Sequence, residues 1–212
     1  SLQFREAERE AKLAAHALAS ACGSLGRPYR IVAHSLGCRL VLEAMPKLPP
    51  AKRPVEVHLC AAAVTEQQAA PFLEQLCAPA HASDGESALR AQGAAVYLYY
   101  SRHDEVLATA FRLASMGGVA LGNASPSQPY PRLEALDATD FFGLLHHSNY
   151  RLLFDELAQA AVLKKPRPPP LPSWRIAQSV QLRDRLTQSL DSLVAFRTSA
   201  AHRWRRRPIA RR

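Results

Sequence analysis

One short segment, residues 29–45 (YRIVAHSLGCRLVLEAM), constrains the fold of this chain more than any other. Its first part, from Tyr29 to Val32, is aromatic and β-branched, which is typical of a buried strand. Its second part, from Cys38 onward, has apolar residues at the spacing of a helix packed on that strand. We therefore expect a strand that reverses into a helix within about two residues, as in α/β proteins.

Ser35 lies in this reversal. Such a sharp turn forces the intervening residue into a strained backbone conformation and leaves its hydroxyl above the sheet, where a nucleophile needs it. Ala33 and Gly37, on either side of Ser35, have small side chains. We expect larger side chains at these two positions to collide where the chain folds back. The same S-L-G tripeptide at Ser24 lies among glycine and proline and is interpreted as part of a loop. The alternative interpretation of Ser35 is a helix N-cap.

Further apolar segments complete the predicted sheet. Residues 54–64 and 93–107 contain continuous apolar runs that suit strands buried on both faces, and a shorter run precedes Asp137. Upstream, residues 4–22 carry an apolar stripe at helical spacing, and Gly23 ends that helix. The predicted fold class is therefore α/β, with three α/β/α layers and a mostly parallel sheet. The predicted strands are about 29–34, 55–61, 94–100 and 132–136.

The segment IVAHSLGCRLVLEAM resembles the nucleophile elbow of the α/β-hydrolases, a family of serine esterases and lipases. The resemblance covers roughly residues 5–160 and implies a triad in which an acid and then a histidine follow later strands. It implies no metal or organic cofactor. In this family several strands precede the nucleophile strand, and residues 1–28 offer no counterpart to them. We therefore expect the nucleophile strand to have an unpaired edge, unless another copy of the chain or the C-terminal tail covers it.

The acid of this triad is expected in the loop after the strand at 94–100. Asp104 is our choice because it stands in that loop, and Glu105 is the alternate because its place suits the start of a helix. Three other aspartates compete: Asp84 in a polar loop, Asp137 after the last strand, and Asp140 as a helix cap or supporting group.

The histidine is expected in the segment before the last helix. Apolar residues at helical spacing begin near Tyr150, so His146 and His147 are predicted to lie just before that helix. We choose His147, because in hydrolases of this type the histidine often precedes an aromatic that opens the last helix; His146 is the alternate. His34 is expected to point away from Ser35 and to serve packing or substrate contact.

With these residues, the resemblance implies a carboxylic ester hydrolase, esterase-like or lipase-like, that acts through an acyl-enzyme on a small-molecule ester or lipid. His147 would accept the Ser35 proton, and Asp104 would hold the imidazole. The Leu36 amide, at a helix N-terminus, would stabilise the oxyanion. No loop before residue 29 matches the one that supplies a second oxyanion donor, and each donor contributes about 10²–10³ in rate. Weak or absent activity is therefore also predicted.

The positive charge of the chain is concentrated at its C-terminal end. Residues 163–212 hold 13 Lys and Arg against two Asp, a net charge of +11, which leaves 14 basic and 16 acidic residues, a net of −2, for residues 1–162. We predict a hydrolase-like domain over 1–163, followed over 164–212 by a polyproline-type linker and a basic, partly helical tail. The second hypothesis is a weak or inactive module that binds a partner, an anionic membrane surface or nucleic acid through this tail.

The four cysteines indicate whether the protein works in a reducing or an oxidising compartment. They lack metal-like spacing, and their mostly apolar surroundings predict buried free thiols in a reducing environment. The positions are Cys22, Cys38, Cys60 and Cys77. No signal segment and no apolar run of membrane-spanning length is seen, so a cytoplasmic location is expected.

Overall fold

The computed structural model of this protein describes residues 2–78, 93–142, 146–163 and 181. The chain divides into two compact units, Ser1–Pro170 and Leu171–Arg212. The predicted linker and tail over 164–212 lie outside the described residues except for Gln181, and so does Asp84. With that single exception, the described residues belong to the first unit.

Four parallel strands form one sheet in the described part of the chain. They are β1 (Arg30–His34), β2 (Glu56–Cys60), β3 (Ala95–Tyr100) and β4 (Leu133–Asp137), and they lie side by side in chain order. Each strand begins and ends within one residue of its predicted position. The predicted α/β fold class is confirmed, because helices join strands that pair only in parallel.

Helices flank and connect these strands. They are α1 (Leu2–Gly23), α2 (Leu36–Ala44), α3 (Glu66–Cys77), α4 (Arg112–Ala114), α5 (Thr139–Phe142) and α6 (His146–Val162), with 3₁₀ helices at Met45–Lys47 and Pro50–Lys52 and a π-helical segment at Leu107–Phe111. As predicted, α1 ends at Gly23 and α2 begins directly after Ser35. The prediction for the last helix was wrong at its start, because His146 and His147 lie in its first turn rather than before it. This helix is kinked at Leu153, where φ is −126° and ψ is 19°.

The two faces of the sheet bury different kinds of side chain, since successive residues of a strand point to opposite faces. Val57 of β2 and Val96 of β3 belong to one apolar core with side chains of α1, α2 and α3. On the other face, His58 and Tyr99 pack against Phe154 of α6, with ring centroids 5.2 and 6.0 Å away. The predicted three layers are therefore present, with α6 on the face opposite α1, α2 and α3.

The order of the strands explains why α2 and α3 share a face. Consecutive strands are neighbours in the sheet, and crossovers between parallel strands are right-handed in nearly all proteins. Both connecting helices must then cover the same side. On that side the alanines Ala15 and Ala19 of α1 lie in the apolar core with Leu42 of α2, where their small side chains suit close helix packing.

The strand before Ser35 lies at the edge of the sheet. Within the described residues β1 pairs with β2 alone, and Val32 on this strand is 52% exposed. The unpaired edge expected for the nucleophile strand is therefore present in this part of the chain. Strand edges of this kind offer unsatisfied backbone groups to other chains.

All four cysteines are buried free thiols, as predicted. Burial raises the pKa of Cys38 well above its ordinary value, and it raises the pKa of Cys60 to about 12 and that of Cys77 to about 11. Among the helices of the described residues, none combines the length and the apolar character needed to cross a bilayer.

Candidate active site

The carboxyl ends of the parallel strands meet at one edge of the sheet, where α/β proteins usually bind ligands. Ser35 directly follows β1, and Asp104 lies four residues beyond the end of β3. His147 lies in the first turn of α6, on the sheet face opposite α2 and α3. Parallel topology therefore brings together three side chains that are far apart in the sequence.

Ser35 has the strained backbone that the sequence predicted. Its φ of 55° and ψ of −124° are rarely adopted by residues other than glycine, and such a conformation costs about 1–3 kcal/mol. Two hydrogen bonds to the end of β2 and the residues after it hold Ser35 in this conformation. The Ser35 N–H donates to the Cys60 carbonyl at 3.0 Å, and the Ser35 carbonyl accepts from the Ala63 N–H at 3.2 Å. The strain is thus maintained by the neighbouring strand.

The Ser35 hydroxyl points to His147 and not to the helix that follows it. Ser35 stands at the N-cap position of α2, yet its side chain makes no capping hydrogen bond there. Its Oγ lies 3.1 Å from His147 Nε2. The geometry differs from the N-cap alternative, because the hydroxyl is within hydrogen-bond distance of an imidazole nitrogen instead.

The crowding expected at Gly37 is not observed. A Cβ added there would meet no heavy atom within 4 Å outside the helix backbone, so the expectation for this position was wrong. Ala33, on the strand side of the turn, is 6% exposed and lies in the apolar core.

Asp104 is completely buried and makes two kinds of contact. His147 Nδ1 lies 2.9 Å from Asp104 Oδ2 and 3.2 Å from Oδ1. Oδ1 also accepts the Leu107 N–H at 2.9 Å, so the same carboxylate caps the helical segment that begins after it. A carboxylate only accepts hydrogen bonds, so Nδ1 of His147 carries the proton, and Nε2 is left to accept the Ser35 proton.

The other acidic candidates have different surroundings. Glu105, the alternate acid, is exposed at the start of the helical segment, as its sequence position predicted. Asp137 is the last residue of β4 and accepts hydrogen bonds from Arg102 Nη2 at 2.7 Å and from the Thr139 N–H at 2.9 Å. Asp140 lies in the first turn of α5. Of the described carboxylates, Asp104 is the one found hydrogen bonded to His147.

The alternate base, His146, belongs to a different hydrogen-bond network. Its Nδ1 lies 2.8 Å from Ser101 Oγ, and that oxygen accepts the His103 N–H at 3.2 Å. Both Ser101 and His146 are buried, and burial is the main cause that lowers the pKa of His146. This pair ties the first turn of α6 to the loop that carries Asp104.

Sequence reasoning missed the contact that His34 makes. Its Nε2 donates to the backbone carbonyl of His147 at 2.6 Å, and the two rings are 4.8 Å apart. Burial lowers the pKa of His34, although its hydrogen bond to His147 acts in the opposite direction. The sequence did contain a signal for this contact, because successive side chains of a strand point to opposite faces of the sheet. Since Ala33 lies in the apolar core on one face, His34 must lie on the other face, which α6 covers.

Leu36 is the first residue of α2, and its amide therefore has no acceptor within that helix. The helix dipole adds partial positive charge at this end, so the group suits an anion beside Ser35. The Cys38 N–H, two residues further on, already donates to the Ser35 carbonyl at 3.1 Å.

The backbone at Gly122 links the segments that follow β2 and β3 beside the site, and we call this crossing the strap. The Gly122 N–H donates to the Ala62 carbonyl at 3.0 Å, and its carbonyl accepts the Ser101 N–H at 2.9 Å. A Cβ at this position would overlap the backbone of Ala61 and Ala62. Glycine is therefore required where the strap crosses the strand ends.

Comparison with family models, with curated proteins and with solved structures gives no match for this chain. In the described ranges, no group of three or more His, Cys, Asp or Glu side chains is arranged to hold a metal ion. The chemistry of the site has to be argued from the contacts of Ser35, His147 and Asp104 themselves.

Proposed function

We propose that this protein is a serine hydrolase of the α/β type that cleaves a carboxylic ester through an acyl-enzyme. One observation carries the proposal: Ser35 Oγ is 3.1 Å from His147 Nε2, while His147 Nδ1 is 2.9 Å from the buried Asp104 carboxylate. A nucleophile, a base and a group that orients the base are thereby in hydrogen-bond contact. The resemblance at the elbow and the order Ser, Asp, His along the chain support it.

In the acylation half-reaction, Ser35 Oγ attacks the ester carbonyl carbon while His147 Nε2 takes the hydroxyl proton. Asp104 stabilises the resulting imidazolium through Nδ1–H, and the Leu36 amide donates to the oxyanion of the tetrahedral intermediate. The intermediate collapses when the carbon–oxygen bond to the leaving alcohol breaks. His147 gives its proton to that alkoxide, which leaves an acylated Ser35.

Deacylation reverses these roles with water. His147 Nε2 takes a proton from the water as its oxygen attacks the acyl carbon, and the Leu36 amide again stabilises the oxyanion. When the bond to Ser35 Oγ breaks, His147 returns the proton to Oγ. The products are a carboxylic acid and the free serine.

A fluorophosphonate serine-hydrolase probe, read by intact mass, tests this proposal on the full chain. One adduct is expected on the wild-type protein and none on Ser35→Ala, with strongly slowed labelling of His147→Ala. Ser24→Ala is the matched control, because Ser24 shares the S-L-G tripeptide but lies in the turn after α1, where its Oγ donates to the Ala21 carbonyl. Labelling that survives in Ser35→Ala, or none on the folded wild-type protein, would contradict the proposal.

A second candidate function is favoured by the uneven charge, +11 for residues 163–212 against −2 for residues 1–162. A tail of this kind attracts anionic lipid or nucleic acid, with an affinity that falls as salt rises. Binding of the full chain to anionic vesicles and to an oligonucleotide should weaken when Arg205, Arg206 and Arg207 are replaced by alanine. Binding that is equal in the two proteins and independent of salt would remove this candidate.

A further inference from the structure

We propose that His34 is a positioning residue that sets the place of His147 relative to Ser35. The inference rests on the proposed function, because it concerns the proton transfer between those two side chains. His34 touches neither Ser35 Oγ nor the hydroxyl proton in the described contacts. It acts through the His147 backbone, to which its Nε2 donates at 2.6 Å.

The contact links the two elements that carry the reacting groups. His34 is the last residue of β1, and Ser35 is the next residue in the chain, whereas His147 lies in the first turn of α6. The hydrogen bond therefore joins the nucleophile strand directly to the helix that carries the base. Together with the contact between Ser35 and His147, it fixes the end of β1 against the start of α6.

His147 is thus held at three atoms. Its carbonyl accepts from His34, its Nδ1 bonds to Asp104 at 2.9 Å, and its Nε2 faces Ser35 Oγ at 3.1 Å. The bond to Asp104 fixes the tautomer, but the ring could still pivot about that bond. Anchoring the backbone removes this freedom, and a displacement of about 1 Å in such a site can cost about 10²-fold in rate.

The surroundings keep His34 in the form that the bond requires. A carbonyl only accepts, so Nε2 must carry a proton, and the neutral ring does so without adding charge beside the base. Burial lowers the pKa of His34, and the nearby His147 and Arg151 lower it as well, while Asp104 and the hydrogen bond raise it. A neutral ring 4.8 Å from His147 does not oppose the imidazolium that forms during acylation.

Two substitutions separate the hydrogen bond from the packing of the ring. His34→Gln keeps an N–H donor near the position of Nε2, whereas His34→Leu has a similar volume and no donor. We expect His34→Leu to slow fluorophosphonate labelling and to lower kcat for p-nitrophenyl acetate by about 10–100-fold with little change in KM. His34→Gln should recover most of the loss, and the exposed His16→Leu on α1 should behave as wild type.

A long-range ¹H–¹⁵N correlation spectrum of the full chain supplies a readout that does not depend on activity. The Nε2–H tautomer is expected for His34, and the Nδ1–H resonance of His147 should shift in His34→Leu but much less in His34→Gln. An Nδ1–H tautomer of His34 would overturn the positioning role, and so would wild-type labelling of His34→Leu. Failure of the proposed function is distinct, because the wild-type protein would then be unlabelled while the spectrum still reports on His34.

Discussion

Asp104 and His147 are 43 residues apart in the chain, yet Asp104 Oδ2 lies 2.9 Å from His147 Nδ1. The same carboxylate accepts the Leu107 N–H through Oδ1 at 2.9 Å. This local backbone bond holds the carboxylate in an orientation in which its other oxygen, Oδ2, is the one nearer to the histidine nitrogen. A residue that caps a helical segment is in this way also hydrogen bonded to His147.

Replacing Asp104 by asparagine tests the role of this carboxylate. The amide oxygen of the new side chain could still accept the Leu107 N–H, but its NH₂ group is a donor, which favours the wrong tautomer of His147. We expect the labelling rate of Asp104→Asn to fall by about 10³–10⁴-fold with little change in folding. Glu105→Gln, one residue further along and exposed, should keep its rate within about twofold. Equal losses in the two variants would point away from Asp104.

Glycine at position 35 should stabilise the fold relative to alanine at the same position. Both substitutions remove the hydroxyl, but only glycine relieves the strain at φ 55°. After allowance for the greater freedom of glycine in the unfolded chain, we expect Ser35→Gly to exceed Ser35→Ala by about 1 kcal/mol in free energy of unfolding. Urea titration of both variants measures the difference, and an alanine variant as stable as the glycine variant would show that the turn is not strained.

Alanine at Gly122 should destabilise the protein. Its Cβ would overlap the backbone of Ala61 and Ala62, so the strap has to move, at a cost of about 1–3 kcal/mol. Gly37→Ala is the matched control, because a Cβ there meets open space and alanine favours the helix by about 0.5–1 kcal/mol. The midpoint temperature of thermal unfolding should therefore fall for Gly122→Ala and rise for Gly37→Ala. A stable Gly122→Ala would show that the strap is free to shift.

Tyr150 buries a hydroxyl that has no hydrogen-bond partner among the described residues. Its ring packs on Phe142 with centroids 4.6 Å apart, so phenylalanine should keep the packing. We expect Tyr150→Phe to leave the free energy of unfolding unchanged or to raise it by about 1 kcal/mol. Tyr99→Phe is the comparison, because it removes the hydroxyl that lies 2.9 Å from His58 Nδ1 and should cost about 1 kcal/mol. A larger loss for Tyr150→Phe would reveal a partner of its hydroxyl.

The thiols of Cys38, Cys60 and Cys77 should be unreactive in the folded protein. A pKa of about 12 for Cys60 and about 11 for Cys77 leaves both protonated at pH 8, and the pKa of Cys38 is raised in the same direction. Only the thiolate attacks a disulfide reagent, so Ellman's reagent should react with these three slowly, and rapidly after denaturation. Fast reaction of the native protein, mapped to any of them by mass spectrometry, would contradict their burial.

Local sequence was sufficient for the four strands and for the strained turn. The four strands lie within one residue of their predicted positions, and Ser35 has the positive φ that a strand reversing into a helix requires. These features depend on the periodicity of apolar side chains and on backbone sterics over a few residues. Both can be inferred from residues that are adjacent in the sequence. Parallel order also follows from strands that are separated by helices.

The choice between neighbouring side chains was beyond local pattern. His146 and His147 are adjacent and of one type, and the rotation of about 100° per helical residue directs one to Ser101 and the other to Ser35. In the same way Gly122 proved to be crowded and Gly37 did not, because the crowding at Gly122 comes from the backbone of Ala61 and Ala62, which are distant in sequence.

Residue order was enough to predict an α/β chain with a strained serine between a strand and a helix, and the resemblance to α/β-hydrolases then indicated Asp104 and His147 as its expected partners. The folded structure was needed to show that these three side chains meet, and that His34 holds the backbone of His147. The difference arises because helix and strand formation depend on neighbours along the chain. Contacts between elements depend instead on how α6 lies across the sheet, and no short segment of sequence encodes that.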